Sequence, residues 1–252
     1  MNELNISNTS LIFATALVFI ALLIDYNQKL GLGKDIFIAA FRTVLQLFII
    51  GYVLSSIFKV NNWILTSTMV AFIIFNASYN AGKRAKHLNN GFKISLIAIT
   101  LATLLSLSVL FFSGTLKWTP SQMVPITGMI ASNAMTAVGV GYRTMNSKFM
   151  DQRQQVQEKI SLGATPKQAT LPIIKESIKT AMQPSIDSAK TVGLVSLPGM
   201  MSGLMFAGVE PTTAIRYQIV VMFMLISTTG FATMIASYLG YREYFNRFGQ
   251  LK

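Results

Sequence analysis

Seven long apolar segments dominate the sequence and restrict the folds open to it. Segments of about 17–25 residues match a bilayer core of about 30 Å when they are α-helices that rise about 1.5 Å per residue. Because lipid offers no partners to backbone polar groups, each segment must satisfy its own backbone as a helix. The sequence therefore predicts an all-α polytopic membrane protein, a single domain over residues 1–252 with about seven transmembrane helices. The segments are 8–24, 36–58, 63–81, 94–112, 123–142, 192–209 and 215–239.

The composition excludes an ordinary soluble domain. Charged residues make up 12% of the chain and hydrophobic residues 52%, whereas soluble domains carry about 25% charged residues. A net charge of +12 would suggest nucleic-acid binding in a soluble protein. Here the basic residues cluster in short loops between apolar segments, so the expected surroundings are a lipid bilayer and no nucleic acid.

The positions of the basic residues predict an orientation. Seventeen of the 21 lysines and arginines lie in alternate loops, namely 25–35, 82–93, 143–190 and the stretch after 239. Cytoplasmic loops carry the excess of Lys and Arg, so we expect the N-terminus outside and the C-terminus in the cytoplasm. The protein should then be a multi-pass protein of a bacterial inner or plasma membrane. Residues 143–190 form the largest predicted cytoplasmic loop.

The chain lacks the residues of the common catalytic and nucleotide sites. It has no cysteine and one histidine, His87, and no phosphate loop of the Gly-x4-Gly-Lys-Ser/Thr type. We therefore expect no enzymatic activity and no cofactor on this chain. ATP and magnesium, if they drive transport, belong to a separate subunit. Since no acidic residue lies deep in a segment, a proton-coupled carrier is disfavoured.

Residues 147–177 encode two helices with a sharp break between them. The stretch "SKFMDQRQQVQEKISL" favours an extension of the fifth helix, and Gly163 follows it as a typical helix end. Thr165 is a good N-cap, Pro166 fits the first helical position and Gln168 completes a capping box. Pro172 should kink or restart the second helix. The segment is either a helix hairpin without a partner or a docking element for a soluble protein.

The same stretch, "QEKISLGATPKQATLPI", resembles the cytoplasmic signature of ABC transporter permeases that begins with an acidic–Ala–Ala triplet. The departure is at its head, where Gln157-Glu158-Lys159 replaces that triplet. The resemblance implies a coupling helix seated in a groove of an ATP-binding subunit. The implied coupling residues are Gln157, Glu158, Gly163, Ala164, Thr165, Pro166, Gln168, Leu171 and Pro172.

Nearly the whole chain resembles the family of FetB-type permeases. The matching stretches include "NASYNAGKRAK", "IASNAMTAVGVGY" and "DSAKTVGLVSLPGMMSGLMFAG". The family implies the membrane subunit of an ABC exporter linked to iron efflux, metal homeostasis and oxidative-stress resistance. Its plant relatives, tied to aluminium tolerance, imply a nucleotide sugar as an alternative substrate.

Two-fold symmetry favours a homodimer that binds two copies of the ATP-binding subunit. Two other function classes stay open on the residues alone. They are an ATP-independent carrier or channel and a membrane-bound scaffold.

Polar and small residues inside the segments are the candidates for a pathway or a gate. Polar side chains are costly in a bilayer and are often functional there, although Asn and Gln also join helices and a terminal Arg also reaches the interface. Gly199 and Gly203 are four residues apart and form a face of small residues, which favours close helix packing at a dimer interface. Pro198, just before them, weakens the helical backbone and favours a hinge. Metal ligands stay unassigned, since methionines such as Met200 and Met201 more often only pack. The candidates are Arg42, Gln46, Asn76, Asn80, Asn133, Asp187, Pro198, Gly199 and Gly203.

Overall fold

The computed structural model describes residues 8–60, 62–246 and 248–252, and the chain is helical through most of these ranges. Two isolated β-bridges occur there and no strand does, so the all-α prediction is confirmed. A 3₁₀ turn, Tyr241–Tyr244, follows the last helix. The helices are α1 (Asn8–Gln28), α2 (Gly33–Val60), α3 (Trp63–Arg84), α4 (Gly91–Phe112), α5 (Pro120–Asp151), α6 (Arg153–Ser161), α7 (Pro166–Thr191), α8 (Gly199–Phe206) and α9 (Pro211–Gly240).

Six of these helices are long and apolar enough to cross a bilayer. Each contains one of the predicted apolar segments, and only segment 192–209 has no such helix. The candidate spans are Thr9–Gln28, Gly33–Phe58, Trp63–Arg84, Gly91–Phe112, Pro120–Asp151 and Pro211–Tyr244.

The predicted sixth segment, 192–209, is not one transmembrane helix. Its backbone turns at Gly193, where φ is +83°, and Val192 pairs with Ser196 in a β-bridge. Pro198 then caps α8, which has only eight residues and rises about 12 Å at 1.5 Å per residue. The positive φ at Gly193 and the Pro198 ring divide an apolar stretch that hydropathy alone reads as continuous.

The predicted extension of the fifth helix through residue 162 is also interrupted. α5 ends at Asp151 and α6 begins at Arg153, because Gln152 adopts φ −108° and ψ 20°. Beyond this irregular residue, Val156 is 1% exposed and packs in the apolar core. The range 143–190, expected to be the largest cytoplasmic loop, contains helices on both sides of Gly163, as the sequence predicts.

The first of two compact units contains the α1–α2 hairpin. The Asp25 carboxylate accepts a hydrogen bond from the Leu32 amide at 2.7 Å and so ties the turn together. Gly31 sits in the turn at φ +74°. Large apolar side chains point outward along both helices, as Phe13 and Phe41 do. Such an all-round apolar surface suits lipid rather than water.

The second unit is a bundle of α3, α4, α5, α7 and α9 packed around small side chains. In lipid, helices associate through close van der Waals contact between small residues and through interhelical hydrogen bonds. Two such bonds are buried: Ser106 to Thr228 at 2.6 Å and Ser95 to Tyr142 at 3.0 Å. Alanines buried in the core include Ala81, Ala98, Ala102, Ala131, Ala134, Ala232 and Ala236.

Side-chain contacts give the directions of α5 and α9. Gly141 of α5 lies beside Thr233 of α9. Further along both helices, Met145 lies beside Gly240. The two helices are therefore parallel, and the chain between them must return to the end at which it started.

α7 supplies most of that return. Ala181 of α7 lies beside Gly141 of α5. Ser185 and Ser188, further along α7, share a cavity with Asn133, which precedes Gly141 on α5. α7 is thus antiparallel to α5, and residues 192–210 complete the return. We call the end of this unit that carries Lys83, Arg84, Lys86, Arg143 and Arg242 the basic end.

Gly141 tests the packing of this bundle. A Cβ at Gly141 would lie 3.0 Å from a methyl of Thr233 and 3.7 Å from Ala181, whereas a Cβ at Gly128 of the same helix has no atom within 4 Å. Gly141→Leu should destabilise the detergent-solubilised protein by about 1–3 kcal/mol through overpacking. Gly128→Leu should have little effect. Thermal unfolding compares the two, and equal midpoints would contradict the close contact at Gly141.

Candidate functional site

A cavity of about 410 Å³ opens where the chain breaks between α7 and α8. Its walls come from α5, α7, α8, α9 and the loop between α7 and α8. The lining residues are Met129, Asn133, Pro184, Ser185, Ser188, Ser196, Pro198, Gly199, Met200, Gln218, Val221, Met222 and Leu225. Ligand sites of bundles commonly lie between helices, and membrane transporters often place them at broken helices.

Gln218 is the most unusual side chain in this wall. It is 5% exposed, and its Oε1 has no hydrogen-bond partner among the described residues. Leaving a buried amide oxygen unpaired costs about 1–3 kcal/mol. Asn133, across the cavity, donates its Nδ2 to the Met129 carbonyl at 2.8 Å, and its Oδ1 accepts from no described residue. The side-chain amide oxygens of Gln218 and Asn133 are therefore available to accept hydrogen bonds from a ligand.

The start of α8 adds hydrogen-bond donors to the same cavity. Pro198 is its N-cap and offers no side-chain capping bond, and the first intrahelical bond runs from the Ser202 amide to the Pro198 carbonyl. The amides of Gly199 and Met200 precede that bond. Unpaired amides at a helix start carry partial positive charge and attract ligand oxygens.

The cavity does not resemble the site of a bare metal ion. Its described lining contains no carboxylate and no imidazole. Nowhere in residues 8–60, 62–246 and 248–252 do three or more His, Asp or Glu side chains gather to hold a metal. Thioethers from Met129, Met200 and Met222 are present, but the remaining polar groups are amides and hydroxyls. This set suits a ligand that brings its own oxygen atoms.

Three of the predicted pathway residues meet at this cavity: Asn133, Pro198 and Gly199. Gly203 lies elsewhere on α8, and a Cβ there would have no atom within 4 Å. Asp187 is exposed. Its carboxylate accepts a hydrogen bond from the side-chain Nε2 of Gln183 at 2.9 Å and forms a salt bridge with Lys190 at 3.7 Å.

The other predicted pathway residues lie outside the cavity. Asn76 and Asn80 are exposed on α3 and bond to each other at 2.7 Å. Arg42 and Gln46 are exposed on α2 in the first unit. All four were predicted as pathway residues because they are polar side chains within apolar segments.

Gln218 and the serines of α7 were missed by the sequence analysis. Ser185 and Ser188 fell within the expected loop, and Gln218 is a lone amide within the apolar run of α9. An amide near the start of an apolar helix is a signal, because it is costly in lipid without a partner.

The break between α6 and α7 has the local structure that its sequence predicts. The Gln168 amide donates to Thr165 Oγ1 at 3.3 Å, and the Thr165 amide donates to Gln168 Oε1 at 2.9 Å, which completes the capping box. Gly163 has φ +92°. Its amide donates to the Ile160 carbonyl at 2.9 Å, and the Ala164 amide donates to Lys159 at 3.0 Å. α7 continues through Pro172 without restarting.

One face of this break is exposed and the other is anchored. Gln157 and Glu158 are exposed, and Leu162 is 88% exposed. Behind them, Ala169 and Ile173 are each 1% exposed in the core. A rigid, anchored and solvent-facing turn is what a docking element requires.

α7 joins this exposed break to the cavity. It begins at Pro166, and its residues Pro184, Ser185 and Ser188 line the cavity. Its 26 residues span about 39 Å. One continuous helix therefore connects the exposed break to the cavity.

Similar proteins come from bacteria and plants. The chain is 53% identical over 251 residues to the "Probable iron export permease protein FetB" of Escherichia coli (strain K12), covering 100% of this chain and 97% of that protein. It is 38% identical to the "UPF0014 membrane protein STAR2" of Oryza sativa subsp. japonica, covering 94% and 84%. It is 36% identical to the "Protein ALUMINUM SENSITIVE 3" of Arabidopsis thaliana, covering 95% and 88%.

No solved structure matches the chain. Residues 8–245 match the family described as "Uncharacterised protein family (UPF0014)". Together with six apolar helices, these matches confirm the predicted resemblance and the multi-pass membrane location, which in bacteria is the inner membrane. The chain belongs to the UPF0014 family of membrane proteins.

Proposed function

We propose that this chain is the permease subunit of an ABC transporter that exports iron, or a related metal or metal complex. The observation that carries the proposal is the continuity of α7, which leads from the capped break at Thr165 to the cavity at Ser185 and Ser188. The name of the Escherichia coli relative, at 53% identity, supports iron and the direction of transport.

Energy enters through a partner chain. A separate ATP-binding subunit holds ATP and magnesium and docks on residues 157–172. Closure of two such subunits around a homodimer of this chain displaces the break, and α7 carries the displacement to residues 192–198. The irregular backbone there switches access to the cavity, as hinge regions do in domain rearrangements.

The proposed topology has seven passages, with the N-terminus outside and the C-terminus in the cytoplasm. The antiparallel α7, the loop after it and α8 together form the sixth passage, and the other six are the apolar helices. The basic end then faces the cytoplasm, in accord with the positive-inside rule. A sixth passage with a break in it is the form that transporter sites often take.

The cavity favours a metal complex or another oxygen-rich solute over a bare ion. Its amides, hydroxyls and helix-start donors bind oxygen atoms, and a hard cation would lack the carboxylates that it needs. A non-metal solute such as a nucleotide sugar, carried by the same ATP-driven cycle, is the second candidate.

Gly163 tests the coupling step. A β-branched residue is strongly disfavoured at the φ of +92° found there. Gly163→Val should reorient the break without disturbing the core, since no atom lies within 4 Å of the added Cβ. Capture of an ATP-binding subunit by the tagged chain, and ATP-dependent iron uptake into inverted vesicles, should fall about fivefold or more.

The matched control for this variant is Gly51→Val, at an open helical glycine of α2. It should leave both measurements near the wild-type values. Full ATPase capture and full transport by Gly163→Val would show that the break does not couple the two proteins.

Gln218 tests the cavity. Gln218→Leu replaces a buried amide oxygen that has no described partner with an apolar group of similar size. Such a change is close to neutral or stabilising for a fold. We therefore expect iron transport to be lost while ATPase capture persists and the thermal midpoint is unchanged or raised.

Thr103→Val is the control, because Thr103 is also buried with an unpaired oxygen but does not line the cavity. It should keep transport. Unchanged transport in Gln218→Leu would exclude the cavity as the ligand site.

A further inference from the structure

A second cavity of about 410 Å³ lies at the basic end, between the end of α3, the loop that leads to α4, α5 and the C-terminal 3₁₀ turn. Five of its lining side chains are basic: Lys83, Arg84, Lys86, His87 and Arg143. Asn146 and Ser147 add neutral polar groups. A concave site so rich in donors selects an anion.

No carboxylate among the described residues forms a salt bridge with these basic side chains, and the carboxylate of Asp151 accepts a hydrogen bond from the Ser147 hydroxyl at 3.4 Å. Within residues 8–60, 62–246 and 248–252, the one salt bridge joins Lys190 to Asp187, far along α7. The nearby Glu243 carboxylate accepts a hydrogen bond from the side-chain Nδ2 of Asn90 at 3.0 Å and does not line the cavity. Four like charges drawn into one concavity repel one another unless an anion is bound there.

Arg84 packs closely against α5 at Gly139. A Cβ at Gly139 would lie 2.6 Å from Arg84 Cδ and 3.0 Å from its Nη1. The absence of a side chain at Gly139 therefore lets the arginine lie against α5 in a partly buried position. A guanidinium packed in this way offers paired donors to a phosphate, and its partial burial reduces the entropy lost when it binds.

An aromatic strip leads from the cavity along the bundle surface. Phe75 and Tyr79 are about half exposed and precede Lys83 at four-residue steps on one face of α3. Both rings pack edge-on against Phe92 of α4, at 5.6 and 6.3 Å. The Lys83 ammonium lies 4.4 Å from the Tyr79 ring centre. An apolar strip that ends in a basic cavity matches an acyl chain that ends in a phosphate headgroup.

We propose that this cavity binds the phosphate of an anionic phospholipid from the bilayer leaflet at the basic end. The location supports a lipid over a soluble phosphate, because α3 ends at Arg84 and α4 begins at Gly91, where apolar helices give way to polar loops. Basic pockets between membrane helices at such boundaries bind anionic headgroups. The lipid joins α3, α5 and the C-terminal turn and stabilises the folded chain.

The test uses the full-length chain in detergent, with thermal unfolding followed during titration of defined lipids. Phosphatidylglycerol should raise the unfolding midpoint in a saturable way, because a ligand of the folded state alone stabilises it by mass action. Phosphatidylcholine with the same acyl chains should not. Native mass spectrometry should retain bound phosphatidylglycerol on the wild-type chain. Inorganic phosphate that raised the midpoint equally would overturn the assignment to a lipid.

Variants locate the site. The double variant that combines Arg84→Gln and Arg143→Gln should weaken phosphatidylglycerol binding about 30-fold. Each basic side chain near an anionic group contributes a factor of about five. Lys175→Gln with Lys179→Gln, which removes the same charge from exposed positions of α7, should change binding little. Equal losses in both pairs would mean diffuse attraction to surface charge and would refute a built site.

Gly139→Ala tests the site without altering charge. The added methyl displaces Arg84, so the affinity for phosphatidylglycerol should fall. The control variant Gly128→Ala should keep the wild-type affinity. Wild-type affinity in Gly139→Ala would refute the role of Arg84. These lipid-binding measurements do not depend on ATPase capture or on iron uptake. This proposal can therefore fail while the proposed transport function holds, and the reverse.

Discussion

The close approach of α5 to α9 and α7 at Gly141 is the contact on which the bundle depends. Thr233 and Ala181 occupy the space that a side chain at Gly141 would need. Lipid provides no hydrophobic drive between helices, so such contacts and bonds such as Ser106 to Thr228 hold them together. The same contact packs one face of the moderately polar α7 against the bundle. Without α7 there, the chain could not return between the parallel helices α5 and α9.

The irregular backbone of residues 192–198 and the cavity depend on each other. In residues 192–198 the regular helical ladder is lost, and few backbone bonds replace it, such as that from the Gly193 amide to Ser196 at 2.9 Å. Irregular backbone at membrane depth is tolerated only inside protein or beside a polar cavity. Ser196 and Pro198 do line such a cavity. In the proposed topology, water or ligand in this cavity would supply hydrogen-bond partners to the backbone that the break exposes.

Signals confined to a few residues were predictable, and signals that depend on packing were not. The capping box of Thr165 and Gln168 is local, and the structure reproduces it. The six apolar helices followed from hydropathy. Hydropathy failed for segment 192–209 because its backbone is broken at Gly193, and the helix predicted to start at Pro166 was expected in the cytoplasmic loop because it carries residues such as Lys175. Within the site, Asn133 was one polar candidate among several, and Gln218 gained meaning only from the helices packed around it.

The proline within the cavity wall gives α7 a weak point where a transmitted motion would act. Pro184 lacks an amide hydrogen, so α7 has no ladder bond from that position to Thr180. The helix is anchored below this point, where Ala181 packs at Gly141, and it ends one and a half to two turns above at Thr191. In the proposed transport cycle, a displacement that starts at the exposed break passes Pro172, which also lacks a ladder bond, and then the packed segment around Ala181. It can be released as bending beside Ser185 and Ser188, at the wall of the cavity.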